Sequence, residues 1–255
     1  MAERTDRAAV ITGGGGAIGR HTALELASRG IAVVVAEIDE ALARETVDAV
    51  EAQGGTAVAV RVDVSDDAAV AACVAACEER FGGLDAFFNN AAMGGAIAPI
   101  TDYPLDDFDR VLAVNVRGVM LGMRHAIPAM RRRGGGSIVN VSSQAGLRGV
   151  PNLSAYSASK HAVIGLTRGA SLEVAGDGIR VNAVAPGPTD TAMMRGIEDE
   201  VRDQGGDPSV FVDNIPVGRY GHPEEIAALV AWLLADAPAF LTGAVLPIDG
   251  GMTVK

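Results

Sequence analysis

The sequence contains few of the residues that form cross-links or bind metals, with 2 cysteines and 4 histidines among 255 residues. Cys73 and Cys77 lie four residues apart in a predicted helix, where helix geometry disfavours a disulfide between them. We therefore expect both to be small core residues in a reducing compartment, and we expect a cytoplasmic protein. The histidines lack the spacing of metal ligands, so the sequence predicts no catalytic metal.

The sequence also has a deficit of positive charge and no long apolar run. A net charge of −11 disfavours binding to nucleic acid and to anionic membranes. The longest apolar runs, such as 31–36, are too short to span a bilayer, and the charged segment 1–7 does not read as a secretory signal. The one basic run, at 131–133, precedes three glycines and predicts a solvated helix end. We expect no nucleic-acid or membrane partner.

Short β-rich segments alternate with helical segments along the whole chain. Apolar strands separated by helices are typical of a parallel sheet covered on both faces. No linker or repeat divides the sequence, so we predict one α/β domain, residues 1–255, with a Rossmann-type doubly wound parallel sheet in three α/β/α layers. The predicted strands are 8–12, 31–36, 56–62, 84–88, 137–142, 179–184 and 245–248, and the predicted helices are 17–29, 40–53, 66–81 (capped by Ser65), 106–133, 154–175 and 223–234.

The segment at 186–214 breaks this alternation. It contains three prolines, two methionines, a charged helix-like stretch and a pair of glycines. A long irregular insertion after a strand often covers a binding site, so we predict a substrate-lid loop at about 188–215. A surface excursion without a ligand is the alternative.

The first predicted strand runs into a glycine-rich turn at 12–19 and then into a helix. Glycines at such a junction let the backbone turn tightly and approach a pyrophosphate at the helix N-terminus. Gly14, Gly16 and Gly19 meet the pattern G-x-G-x-x-G, although a run of four glycines satisfies it easily. The turn is a candidate dinucleotide site, with a glycine-rich turn that binds nothing as the alternative.

Glu37 closes the second predicted strand, 18 residues after Gly19. A carboxylate there can accept hydrogen bonds from both hydroxyls of an adenosine ribose and would repel a 2′-phosphate. No lysine or arginine lies within 13–18 or 37–40 to bind such a phosphate. The sequence therefore favours NAD(H) over NADP(H).

Tyr156 and Lys160 lie four residues apart in a predicted helix, so their side chains share one face. A free tyrosine has a pKa of about 10, and a neighbouring cation favours the phenolate. Lys160 is thus expected to lower the pKa of Tyr156 into a range useful for acid–base catalysis. On an arbitrary helix such a pair is more often structural, and its meaning depends on its surroundings.

With these residues placed, the sequence resembles the short-chain dehydrogenase/reductase family, in its single-domain branch, from about residue 8 to residue 251. The family's glycine turn falls on 12–19 with Ala17 in place of one glycine, and Ser143 lies 13 residues before Tyr156, the family's spacing. The resemblance implies that Ser143 binds the reacting oxygen, Tyr156 transfers the proton and Lys160 lowers its pKa while bonding the nicotinamide ribose. It implies that Asn115 connects Lys160 to solvent through water.

The resemblance also implies a cofactor site, with Asp63 and Val64 at the adenine and Thr191 at the carboxamide. The segments 89–92 and 249–251 match further family motifs, with Ala92 in place of a glycine. A homotetramer or dimer is implied as well. The implied cofactor-binding residues are Thr12, Gly13, Gly16, Ile18, Gly19, Glu37, Asp63, Val64, Asn90, Ala91, Tyr156, Lys160, Pro186, Gly187, Thr189 and Thr191.

The expected substrate pocket is mainly apolar and has no cluster for a phosphate or carboxylate. We therefore expect a small-molecule substrate, a neutral secondary alcohol or its ketone, with cyclic ones among the candidates. A 3-oxoacyl carrier-protein reductase is an alternative, and a catalytically silent dinucleotide-binding sensor is another. Met193 and Met194 fit a core equally well. The expected pocket residues are Gln144 and Leu153 with Met193 and Met194, and, around them, Gly94, Gly95, Ile97, Leu147, Pro151, Asn152 and Ile197.

Overall fold

In the computed structural model, which describes residues 7–254, seven parallel strands form one sheet in the order β3-β2-β1-β4-β5-β6-β7. The order changes direction between β1 and β4, so a crevice opens at their carboxyl ends, where such sheets bind ligands. The predicted fold class is therefore confirmed. The strands are β1 (Arg7–Thr12), β2 (Ile31–Glu37), β3 (Ala57–Arg61), β4 (Ala86–Asn89), β5 (Gly136–Val141), β6 (Ile179–Pro186) and β7 (Val245–Ile248).

Helices cover both faces of the sheet and enclose two apolar cores. Phe87 of β4 packs into one core and Phe88 into the other, because successive side chains of a strand point to opposite faces. This is why the strands are continuous apolar runs rather than alternating ones. The helices are α1 (Ala17–Ser28), α2 (Glu40–Ala52), α3 (Asp67–Phe81), α4 (Leu105–Leu112), α5 (Gly118–Arg133), α6 (Ser154–Val174), α7 (Ala192–Asp203), α8 (Ser209–Asp213) and α9 (Pro223–Ala235).

The helix predicted at 106–133 is wrong as one continuous helix. A π-helical turn, Ala113–Arg117, separates α4 from α5. Such turns interrupt helices frequently at functional sites, since they re-aim one side chain. Here the re-aimed residue is Asn115, which is fully buried and bonded to another loop.

The predicted lid, 188–215, is not a loop, because most of it folds into α7 and α8. Thr191 caps α7, its hydroxyl accepting from the backbone N–H of Met194 at 3.2 Å. The predicted Ser65 cap of α3 is also wrong. Asp66 takes that role, because Ser65 instead donates its hydroxyl to the Asp63 carboxylate at 2.7 Å.

Cys73 and Cys77 lie buried on α3 as free thiols, and burial raises the pKa of each to about 12. Arg131 and Arg132 end α5 at the surface in ion pairs with acidic side chains. No helix within residues 7–254 has the length and apolarity needed to cross a membrane. Residues 1–6, which carry the expectation that no secretory signal is present, lie outside the described residues.

Candidate active site

The glycine turn between β1 and α1 is closed so tightly that side chains are excluded at two positions. Gly13 has φ +61, and a Cβ there would lie 2.8 Å from the Cα of Ala91. A Cβ on Gly19 would lie 2.4 Å from the carbonyl oxygen of Gly13. At Gly16, which precedes α1, the nearest atom would be 3.5 Å away, and no side chain caps the helix. The turn is thus a cradle whose helix N-terminus is free to bind a pyrophosphate.

The carboxyl ends of β1 and β4 are joined by side chains of the predicted cofactor site. The Thr12 hydroxyl accepts from the backbone N–H groups of Asn90 and Ala91 at 3.0 and 3.2 Å. In return, the Asn90 amide donates to the carbonyl oxygens of Thr12 and Gly13 at 3.1 and 2.9 Å. These bonds seat the segment after β4 directly against the glycine turn.

Glu37 lies at the end of β2 with its carboxylate beside the turn. One carboxylate oxygen accepts from the Gly15 N–H at 3.2 Å and the other from the Ile38 N–H at 2.8 Å. Arg61 of β3 stands directly beside Glu37 in the sheet register. Arg61 was missed in the sequence analysis because it is distant from Glu37 in sequence and is brought beside it only by the pairing of β2 with β3.

The adenine end of the predicted site is formed after β3. Ser65 donates two hydrogen bonds to the Asp63 carboxylate, from its hydroxyl at 2.7 Å and its N–H at 2.9 Å. Both bonds lower the pKa of Asp63, the hydroxyl bond more than the N–H bond, and so they keep the carboxyl group anionic. Val64 is buried under Gly118, where an added Cβ would come within 3.0 Å of it.

Ser143 follows β5 and lies next to Tyr156 of α6. Its hydroxyl accepts from the Ala145 N–H at 3.1 Å and lies close enough to the Tyr156 phenol to lower the pKa of that group. The hydroxyl of the adjacent Ser142 instead donates to the carbonyl oxygen of Lys160 at 2.9 Å. The structure therefore brings Ser143, and not Ser142, to the phenol.

Lys160 lies one turn after Tyr156, with its ammonium nitrogen 5.4 Å from the centre of the tyrosine ring. The side chain is 1% exposed and donates to the carbonyl oxygen of Val141 at 3.0 Å. Burial lowers the pKa of Lys160 to about 7. The lysine is thus poised to gain or lose a proton near neutral pH.

The expectation that Lys160 lowers the pKa of Tyr156 is not met by the protein's own groups. Burial raises the pKa of Tyr156, and only the hydrogen bond with Ser143 acts against this. The reason is that Lys160 is itself buried, which lowers its pKa to about 7, so it is only partly charged near neutral pH. Tyr156 is therefore a neutral acid here.

Asn115 is anchored by both sides of its amide to Met93 after β4. Its oxygen accepts from the Met93 N–H and its nitrogen donates to the Met93 carbonyl oxygen, each at 2.9 Å. The same nitrogen donates to the hydroxyl of Ser159 at 3.1 Å, and Ser159 donates to the carbonyl oxygen of Tyr156 at 2.7 Å. Asn115 thus reaches α6 through Ser159, a contact the sequence analysis missed although Ser159 immediately precedes Lys160.

The segment after β6 carries the residues expected at the nicotinamide. Gly187, directly after Pro186, packs so close to Asp249 that a Cβ would lie 2.8 Å from its Cα. The buried Thr189 hydroxyl donates to the carbonyl oxygen of Gly187 at 3.0 Å. The Thr191 hydroxyl accepts a helix-capping bond and so keeps its own proton for donation to a ligand.

The expected pocket residues are not equivalent. Met194 is 8% exposed and belongs to the core, whereas Met193 is 37% exposed at the start of α7. Gln144 accepts from Arg148, and Leu153 immediately precedes α6, three residues before Tyr156. Met193, Gln144 and Leu153 therefore remain as candidates for contact with a substrate. Within residues 7–254, no group of three or more histidine, cysteine, aspartate or glutamate side chains could hold a metal ion.

Known proteins are similar to this chain over nearly its whole length. Residues 15–253 match the model of a family described as enoyl-(acyl carrier protein) reductase. Levodione reductase of Leifsonia aquatica is 40% identical over 253 residues, which cover 98% of this chain and 95% of that protein. Cyclohexanol dehydrogenase of Acinetobacter sp. strain SE19 is 39% identical over 250 residues, which cover 98% and 96%.

Solved structures share the fold closely. A crystal structure of levodione reductase superposes with a TM-score of 0.94 at 39% identity, covering 98% of each chain. An NAD⁺-bound xylitol dehydrogenase gives 0.92 at 38% identity, covering 98% of this chain and 100% of the other. An actinorhodin polyketide ketoreductase with NADPH gives 0.93 at 33% identity, covering 100% of each. The chain therefore belongs to the short-chain dehydrogenase/reductase family, as an oxidoreductase that interconverts secondary alcohols and ketones.

Proposed function

We propose that this chain is an NAD(H)-dependent dehydrogenase of neutral, cyclic secondary alcohols and a reductase of their ketones. The observation that carries the proposal is the placement of Ser143, Tyr156 and Lys160 at the sheet edge that also holds the glycine turn. Cyclohexanol dehydrogenase is named for a cyclic alcohol, which supports a cyclic substrate. The exposed Met193 and the half-buried Leu153 supply the apolar wall that such a ring needs.

The glycine turn fits a nicotinamide dinucleotide, because it combines an uncapped helix N-terminus with positions where a Cβ would clash. When bound, the cofactor supplies or accepts the hydride. The turn at 12–19 would hold the pyrophosphate, Glu37 the adenosine ribose, and Asp63 with Val64 the adenine. Asn90, Ala91 and the segment from Pro186 to Thr191 would surround the nicotinamide half, together with Tyr156 and Lys160.

NAD(H) is proposed over NADP(H) because the Glu37 carboxylate occupies the end of β2, where a 2′-phosphate would meet its charge. Solved relatives carry either cofactor, so family membership alone leaves both open. Arg61 beside Glu37 acts in the opposite direction, as a cation within the same corner of the sheet. The proposal is that the carboxylate, which lies against the turn itself, outweighs it.

In ketone reduction, the Ser143 hydroxyl would donate a hydrogen bond to the carbonyl oxygen, where negative charge develops. Tyr156 would then transfer its phenolic proton to that oxygen, since its raised pKa keeps it protonated and it lies beside Ser143. Protonated Lys160, one turn away, would stabilise the phenolate left behind. Asn115 would order the proton path behind Lys160, through its contact with Ser159. Alcohol oxidation runs through the same groups in reverse.

The test of the proposed function is a panel of cyclic and linear secondary alcohols with NAD⁺ or NADP⁺, and of ketones with NADH or NADPH. We expect turnover of cyclohexanol-type alcohols with NAD⁺, read as NADH absorbance. Absence of turnover with every alcohol and ketone, from a protein that binds NADH, would overturn the proposal in favour of a silent dinucleotide sensor. Selective reduction of 3-oxoacyl thioesters would favour the carrier-protein reductase, which the acidic composition and Glu37 disfavour.

We further propose that residues 1–255 act as one domain in a cytoplasmic homotetramer or dimer. Leu172 on α6 is 84% exposed, and Phe240, after α9, is fully exposed. Trp232 on α9 is also exposed, so large apolar side chains lie on the outer helices rather than in the core. Burial of these side chains against other copies of the chain is the expected driving force for assembly.

A further inference from the structure

The segment at 91–98 has no regular secondary structure, yet it is tied to several parts of the candidate site. Near its start, Met93 is held by the amide of Asn115. At its end, the Ala98 N–H donates to the carbonyl oxygen of Asn152 at 3.0 Å, in the loop before Tyr156. This loop therefore runs between Asn115 and α6, the helix that carries Tyr156 and Lys160.

The middle of the loop is held by Asp107 of α4, a carboxylate that is only 8% exposed. One of its oxygens accepts from the Ala96 N–H at 2.7 Å and from the Tyr103 hydroxyl at 3.0 Å. The other accepts from Arg110 at 3.0 Å. Charged hydrogen bonds of this length are among the stronger ones in proteins, and the Ala96 bond is the first cause of the lowered pKa of Asp107.

Gly95 shows how closely the loop is seated on this carboxylate. Its φ of +74 already disfavours any side chain. A Cβ would also lie 2.5 Å from the Tyr103 hydroxyl oxygen and 2.9 Å from the nearer oxygen of Asp107. The loop can therefore approach α4 this closely only with glycine at this position.

Ile97, two residues after Gly95, connects the loop to α7, a helix within the predicted lid segment. The Ile97 N–H donates to Glu200 at 3.3 Å, and its carbonyl oxygen accepts from Gln204 at 3.4 Å. Both bonds are longer than the 2.7 Å bond between Ala96 and Asp107. The short bond is thus the firmer anchor, and the lid contacts a backbone that Asp107 has already fixed.

We propose that Asp107 is a positioning residue for the reaction, fixing the 95–97 backbone as a wall of the substrate pocket between Asn115 and α7. This inference rests on the proposed function and names a residue that shapes the same site. Asn115 keeps Met93 in place by two bonds of its own, so loss of Asp107 leaves the proton-transfer end intact. Loss of Asp107 would instead displace the backbone at 95–97 and the contact of Ile97 with α7.

The test measures kcat, KM and NADH affinity with cyclohexanone as the probe. Asp107→Ala is expected to raise KM about tenfold with kcat changed less than about threefold, the pattern of lost substrate binding without lost chemistry. The dissociation constant of NADH should stay within about twofold, because Thr12 holds the cofactor end of the loop independently. Asp107→Asn keeps an oxygen for Ala96 and should restore most of the wild-type KM.

Asp109→Asn is the matched control, since Asp109 is exposed on the same helix and the substitution removes the same charge. It should leave KM, kcat and the melting temperature at wild-type values. Hydrogen exchange of the Ala96 and Ile97 amides adds a readout that needs no substrate, and both should exchange faster in Asp107→Ala than in Asp109→Asn.

An unchanged KM in an Asp107→Ala protein that turns over cyclohexanone would overturn the inference while leaving the proposed function standing. Equal loss of kcat and kcat/KM would also overturn it, because Asp107 would then act on the chemical step. Equal exchange of the Ala96 and Ile97 amides in both variants would overturn it as well, because Asp107 would then not hold the loop. If the wild-type enzyme itself reduces no ketone, the proposed function fails first and this inference fails with it. Should Asp107→Ala aggregate, Asp107→Leu carries the same comparison, because it fills similar space but offers no acceptor for the Ala96 N–H.

Discussion

Lys160 shows how burial of one residue can determine its chemistry. The sequence contains two lysines, Lys160 and Lys255, and Lys160 is buried beside the tyrosine that we propose as the acid. A buried ammonium loses hydration, so its pKa falls, here to about 7 against an ordinary value of 10.5. The same burial raises the pKa of Tyr156. Sequence spacing predicted that the two would meet, but it could not predict that both would be desolvated.

This predicts a titration that can be observed directly. With lysine carrying a carbon-13 label, the protein should show two lysine signals, of which the one lost in Lys160→Met titrates near pH 7. Between about pH 7 and pH 10.5 the unfolded chain binds the proton and the folded chain does not, so Lys160 makes stability rise with pH in that range. A Lys160 signal that titrates near 10.5 would contradict the burial argument.

Glu37 carries the proposed choice of cofactor. Glu37→Ala removes the charge that would repel a 2′-phosphate and leaves Arg61 beside the site. We expect the ratio of kcat/KM for NADPH over NADH to rise about tenfold or more, since each factor of ten needs only about 1.4 kcal/mol. Glu40→Ala, an exposed acidic residue in the first turn of α2, is the control. An unchanged ratio in Glu37→Ala would show that discrimination lies elsewhere.

At the scale of elements, the β1–α1 turn makes the sharpest structural prediction. In Gly19→Ala the added methyl would lie 2.4 Å from the Gly13 carbonyl oxygen, so the turn must open. NADH affinity should fall at least about tenfold, measured by fluorescence titration. Gly196→Ala, on α7 where a Cβ meets no atom within 4 Å, should keep NADH affinity and stabilise the helix by about 0.5–1 kcal/mol. Equal NADH affinity in both variants would contradict the cradle.

The regular elements could be predicted from hydrophobic pattern because each strand is a continuous apolar run between helices. The exceptions lie where side chains compete for backbone groups. Asn115 turns inward to bond Met93 and forces a π turn into a helix that the sequence pattern predicts as continuous. Ser65 looked like a helix cap, but its hydroxyl is taken by Asp63. The Asn115 bond depends on a partner that is distant in sequence. The helix cap depends on a choice between two adjacent residues, Ser65 and Asp66, that suit the role equally well.

The positions of candidate site residues could be predicted where these residues follow strands. They could not be predicted where a residue reaches the site through contacts with a distant part of the chain. Thr12, Ser143 and Pro186 lie at strand ends, which a parallel sheet brings to one edge. Arg61, Ser159 and Asp107 reach the site through strand register or hydrogen bonds to another loop. No spacing rule links Asp107 to Ala96, so only the folded structure shows their contact.

For the whole molecule, exposed apolar side chains on the outer helices predict assembly. Light scattering should give about four times the 26.0 kDa chain mass, or about twice it for a dimer. Leu172→Glu would place a charge on the exposed face of α6 and should shift the protein toward smaller species, with Glu173→Gln as a neighbouring control. A wild-type protein that is monomeric at micromolar concentration would contradict the proposed assembly.

The central claim is that Tyr156 transfers the proton in an NAD-dependent alcohol–ketone interconversion. The most direct test compares wild type and Tyr156→Phe for NADH formation from a turned-over cyclic alcohol, with NADH binding measured in parallel. The account predicts that the variant binds NADH within about twofold of wild type while turnover falls by about 10²–10⁴-fold, the usual contribution of a positioned acid or base. Near-normal turnover by Tyr156→Phe would contradict it.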